Sequence, residues 1–209
     1  MFDFAAPFSA GFKSKEISFY SVTMGELVLP TGRIVACDPL VGPDTHAFAR
    51  TVLPGSYPVL LSIAVMPNGD ERIGFAMLRL REAPVVTWEM ALLPGEDLST
   101  LEDGEFFGYG VDAGLGCFMD VEAQRSVLAR WDALTPEQNY YDDVLEAELG
   151  KNYKETRDWT LHRPEAGKAA NVAVFSSGWG DGSYPSWFGL DAEGRPLALV
   201  TEFQLIDLE

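Results

Sequence analysis

A chain of 209 residues is long enough to bury one substantial core and short enough that a single domain, residues 1–209, is the expectation. Its 47% hydrophobic and 12% aromatic content excludes wholesale disorder, and 32 acidic against 15 basic side chains, a net charge of -17, argue against nucleic acid or anionic membrane as partners. No window approaches the ~20 apolar residues of a membrane helix, two cysteines make no disulfide scaffold, and residues 1–7 lack the basic start and apolar run of a secretory signal, so a cytoplasmic protein is expected.

In chain order, residues 16–22 and 25–37 are β-prone, and the Pro30-Thr31-Gly32 turn within them predicts a hairpin. Asp38-Pro39 stops the strand, and residues 40–50 read as a loop carrying His46. Residues 57–65 and 72–80, joined by Pro67-Asn68-Gly69-Asp70, are apolar on both faces and predict a long antiparallel hairpin at the centre of a sheet. Residues 85–91 and 106–112 are further β-prone runs, the second followed by Gly114 and Gly116.

From Asp120 the pattern changes. Val121, Ala123, Gln124, Val127, Leu128 and Trp131 recur at the spacing of a surface helix that Asp120 can cap. Thr135-Pro136-Glu137 is a second helix-start signal, followed by Tyr140, Tyr141, Val144, Leu145 and Leu149 before Gly150. Residues 151–168 are polar and read as loop with local structure. Residues 171–175 form a short strand entering the glycine-rich stretch 176–185, and residues 186–190 and 197–206 close the chain as a hairpin. The predicted fold class is α+β, a β-rich core of mainly antiparallel strands with a central helical insertion at about residues 120–150.

Chemistry has few anchors. His46 and His162 lie far apart without metal-ligand spacing, which weakens any nucleophile–base mechanism. The glycines of residues 108–116 lack Rossmann spacing and a Walker lysine. Neither Cys37 nor Cys117 has a base nearby in sequence, so both read as small buried hydrophobes. The carboxylates Asp38, Asp112, Asp120 and Asp181 follow β-prone runs or bracket the glycine turn, and their convergence at one sheet edge would hold a divalent cation. Asp112, Asp120 and Asp181 would then be the catalytic group of a metal-dependent hydrolase. Against this stands the ordinary use of Asp in glycine-rich turns, as an acceptor for backbone N–H groups.

The stretch 176–185 is the most informative, with three glycines, an acid and two large aromatics in ten residues. Trp179, Asp181, Tyr184 and the following Trp187 are the candidate binding residues, because Trp and Tyr dominate recognition hot spots. Residues 96–158 hold 16 acids and 5 bases, a field suited to a basic protein partner. The leading expectation is a non-enzymatic acidic binding protein that needs no cofactor, and the metal-dependent hydrolase is the alternative.

Four ordered segments carry a resemblance: residues 29–39 (Leu-Pro-Thr-Gly-Arg-Ile-Val-Ala-Cys-Asp-Pro), 54–59 (Pro-Gly-Ser-Tyr-Pro-Val), 111–120 (Val-Asp-Ala-Gly-Leu-Gly-Cys-Phe-Met-Asp) and 177–185 (Ser-Gly-Trp-Gly-Asp-Gly-Ser-Tyr-Pro). Over residues 25–206 the chain resembles the bacterial family known as domain of unknown function 4241. The resemblance brings no activity. It implies a soluble bacterial protein, related in setting to accessory or immunity proteins that neutralise a basic toxin.

Overall fold

The structure is a computed structural model that describes residues 2–208. In chain order the strands are β1 (Lys13–Ser14), β2 (Ile17–Leu29), β3 (Ile34–Cys37), β4 (Gly55–Val65), β5 (Glu71–Arg79), β6 (Thr87–Met90), β7 (Tyr109–Val111), β8 (Leu115–Asp120), β9 (Trp159–His162), β10 (Val172–Ser176), β11 (Gly182–Tyr184), β12 (Ser186–Leu190) and β13 (Pro196–Glu202). Helix α1 spans Val121–Asp132, and a π-helical turn, Tyr141–Leu145, runs into α2 (Glu146–Leu149). The predicted α+β class with a central helical insertion is what the structure shows.

Seven strands form one sheet in the order β1-β2-β4-β5-β13-β12-β6, four form a second in the order β3-β8-β10-β9, and β11 pairs with β7. All the strand pairings are antiparallel. The predicted hairpin of residues 57–80 is β4–β5, at the heart of the large sheet.

Alternation along the strands builds a layered molecule, since successive side chains point to opposite faces. Leu61, Ile63, Leu78 and Leu199 of the large sheet meet Ile34, Phe118 and Phe175 of the small one in the main core. The small sheet's other face, with Val35, Cys37, Cys117, Met119, Val172 and Val174, is covered by Val127 of α1 and by Tyr140, Leu145 and Leu149 of the helical insertion. The large sheet's other face carries Phe19, Phe75, Met77, Trp88 and Val200 and lies under the N-terminal segment, where Phe4 stacks on Trp187 at 4.8 Å between ring centroids.

The hairpin predicted at Pro30-Thr31-Gly32 is instead a crossing between sheets, because β2 pairs with β4 while β3 pairs with β8. Gly32 sits at φ +71°, and a Cβ there would lie 1.9 Å from the Val52 carbonyl oxygen, so the corner requires glycine. The Asp120 carboxylate fixes the corner by accepting from Thr31 N, Thr31 Oγ1 and Gly32 N, and caps α1 by accepting from Glu122 N. The predicted cap is thus present and also ties two sequence-distant turns together. The second helix begins later than its start signal, at Tyr141, and strand β9 lies within the stretch expected to be loop.

Candidate functional site

The glycine-rich loop is shaped from within. Gly178 has φ +57°, and a Cβ there would lie 2.8 Å from Phe203 Cβ, so the backbone packs directly on the segment just after β13. Ser177 Oγ donates to the Gly180 carbonyl at 2.9 Å, and Tyr184 Oη donates to the same oxygen at 2.8 Å. Held this way, Trp179 stands 58% exposed, with the Arg72 guanidinium 4.7 Å from its ring centroid. Arg72 in turn pairs with Asp70 at 2.9 Å and donates to the Gly178 carbonyl.

Trp179 lines a groove of about 240 Å³ together with Tyr153, Glu155, Arg157 and Asp158. Arg157 is buried and spent on Glu71 at 2.6 Å, with its guanidinium 5.3 Å from the Trp159 ring centroid. Tyr153 is 60% exposed, and Tyr141 of the π-helical turn is 38% exposed. Burial, then the negative charge of Asp158, Glu146 and Asp142, pushes the Tyr141 hydroxyl pKa up, which places those acids around the ring. Three exposed aromatic rings are therefore interleaved with carboxylates along one face.

Those carboxylates are largely unneutralised. Among the described residues, the ion pair that involves 96–158 is Arg157–Glu71, while Glu148 meets His162, whose pKa burial lowers. Asp132, Glu137, Asp142, Asp143, Glu146 and Glu155 are all exposed. The Asp142 and Asp143 carboxylates accept from Asn139 at the start of the π-helical turn.

Of the four expected binding residues, Trp179 and Asp181 lie together on the exposed loop. Tyr184 is buried in the core beneath it, and Trp187 lies on the outer face of the large sheet under Phe4. The four aspartates serve backbone geometry or face solvent. Asp38 is buried and accepts from Leu40 N, Asp112 N and Ala113 N, while Asp112 and Asp181 are exposed. Asp120 sits five residues from the start of β8, about 17 Å away at strand rise. Among the described residues no three His, Cys, Asp or Glu side chains are grouped to hold a metal ion, so the hydrolase alternative has no assembled centre.

Sequence reasoning missed Tyr141 and Tyr153, whose signal was two aromatics within an acidic run. It also missed a buried polar chain in which His162 Nε2 lies 3.0 Å from Tyr140 Oη and Nδ1 lies 3.0 Å from Glu148 Oε2. Burial lowers the His162 pKa and pushes Tyr140 up to about 12, so both side chains stay neutral near pH 7 while joining the helical insertion to β9. A separate cleft of about 210 Å³ opens where β3 ends, lined by Cys37, Asp38, Phe48, Leu93, Tyr109 and Ser186.

Residues 27–201 match the family described as Protein of unknown function (DUF4241), and the chain belongs to that family. No curated protein and no solved structure matches it. Among the described residues no helix is long and apolar enough to cross a membrane.

Proposed function

We propose that this member of the family is a non-catalytic binding protein whose acidic, aromatic face receives a basic protein, in the manner of an immunity or accessory protein covering a basic bacterial toxin in the cytoplasm. One observation carries the reading: exposed Tyr141, Tyr153 and Trp179 share a face with carboxylates that have no cationic partner among the described residues. Unpaired carboxylates steer a cationic surface in from a distance, and aromatic rings supply contact area at low entropic cost. The Arg72–Trp179 stack is the same kind of contact that an incoming arginine would make with Tyr153 or with the open part of Trp179.

The test is a two-step measurement. Native lysate is passed over the immobilised protein at low and moderate salt, and the recovered partner is then titrated against wild type, Trp179→Ala and the triple variant Asp142→Asn/Asp143→Asn/Glu146→Gln. A basic partner whose association slows with salt, and whose affinity drops at least tenfold in both variants, supports the reading. Failure to recover a stoichiometric partner, or a partner indifferent to both variants, overturns it.

A further inference from the structure

Cys37 ends β3 and Cys117 lies within β8, and the two are direct register partners across the antiparallel pair. Their sulfurs are 3.6 Å apart, both thiols are free, and both belong to the cluster on the helix-covered face of the small sheet. Opposed residues in such a pair have Cα atoms ~4.5–5.5 Å apart, within the range a disulfide spans. The backbone therefore already holds the geometry of a cross-link.

The cleft at the end of β3 supplies a route in, because Cys37 is part of its lining. At ~30 Å³ per water, its 210 Å³ holds about seven waters, enough for peroxide and too little for a peptide-sized disulfide.

We propose that Cys37 and Cys117 are a reversible dithiol–disulfide site that hydrogen peroxide reaches through this cleft. The Cys37 thiolate, having released its proton to water, attacks one peroxide oxygen. The O–O bond breaks, Cys37 becomes a sulfenic acid, and the expelled hydroxide takes up a proton as water. Cys117 then attacks the Cys37 sulfur, the S–S bond forms as the S–O bond breaks, and the second water leaves with the Cys117 proton. Two thiols are oxidised by two electrons, and one peroxide is reduced to two waters. The hydrogen bond to Cys117, then burial, then the nearby carboxylates of Asp38 and Asp44 hold the Cys37 pKa well above the usual thiol value, so the thiolate is scarce at pH 7 and the reaction is slow. The site thus answers to sustained rather than brief exposure, and its rate climbs with pH.

The experiment treats the reduced, full-length protein with hydrogen peroxide at pH 7 and pH 9, quenches, and reads thiol count and intact mass. Expected are paired loss of both thiols, a mass lower by two hydrogens, a Cys37–Cys117 cross-linked peptide, restoration by dithiothreitol, and a faster rate at pH 9. Glutathione disulfide, too large for the cleft, should react far more slowly than peroxide when each rate is divided by that on the urea-unfolded chain. Thiols that persist while the unfolded control is consumed, added oxygen without a cross-link, or equal relative rates for the two oxidants would each overturn the site.

Discussion

Glu202 offers the sharpest test of the physical picture, because it is an acid placed where its charge is costly. It ends β13 with 4% of its surface exposed, and burial raises its pKa from 4.5 to about 7, offset only in part by the Gln204 backbone N–H. An acid whose pKa is raised by folding binds its proton more tightly in the native state, so stability is highest below pH 4.5 and falls as the pH climbs through 7. The shift corresponds to about 3 kcal/mol lost by pH 8, or roughly 6–12 °C in Tm for a chain of this size. Glu202→Gln keeps the shape and removes the ionisation. Urea and thermal unfolding of both proteins at half-unit steps from pH 4 to pH 8.5 should show near-equal stability at the acid end and a variant advantage that opens between pH 5 and 7. The difference between the two proteins is the quantity to read, since His162 titrates nearby with the opposite sign. A difference that stays flat across the range would refute the argument.

Other consequences follow from single contacts. Asp120→Ala abandons four donors at the sheet crossing and the α1 cap, and should cost about 2–4 kcal/mol in urea unfolding. Folding lowers the His162 pKa through burial, against the opposing pull of Glu148, so its contribution is complete above its ordinary value of 6.5 and disappears as the pH falls. Unfolding curves of wild type and His162→Gln should therefore converge on acidification from pH 7.5 to 5. Gly32→Ala meets the Val52 carbonyl in a left-handed conformation, and should lower stability by about 2–4 kcal/mol, read as a drop in urea midpoint at constant m-value.

Much of the local structure was legible because neighbouring residues decide it. The β4–β5 hairpin announced itself by two apolar runs around Pro67-Asn68-Gly69-Asp70, and α1 by its period and by Asp120. The division of the strands between two sheets was not legible. Both β2, largely half-buried or exposed, and β3, wholly buried, are simply β-prone in sequence, and only the Thr31–Asp120 contacts, 89 residues apart in sequence, turn a hairpin signal into a crossing. Strand β9 is four residues with half its side chains half-buried, too short to show a period. The site was partly legible. Trp179 and the acidic stretch could be named from sequence, but the exposure of Tyr153 and the burial of Tyr184 depend on what packs against each ring. The Cys37–Cys117 approach depends on the register of two strands separated by 80 residues, which no local pattern encodes.

The layering also explains why the acidic face is available for recognition. The helical insertion spends Tyr140, Leu145 and Leu149 on the small sheet, so its attachment rests on apolar contact and on the Tyr140–His162–Glu148 chain rather than on its outward carboxylates. Asp142, Asp143 and Glu146 then contribute mutual repulsion without a folding role, apart from acceptor oxygens that an amide retains. The triple variant Asp142→Asn/Asp143→Asn/Glu146→Gln should keep its Tm within ~3 °C of wild type at low salt, with any change upward. A Tm lowered well beyond that would make these acids part of the fold, and the face would lose its claim to be kept charged for a partner.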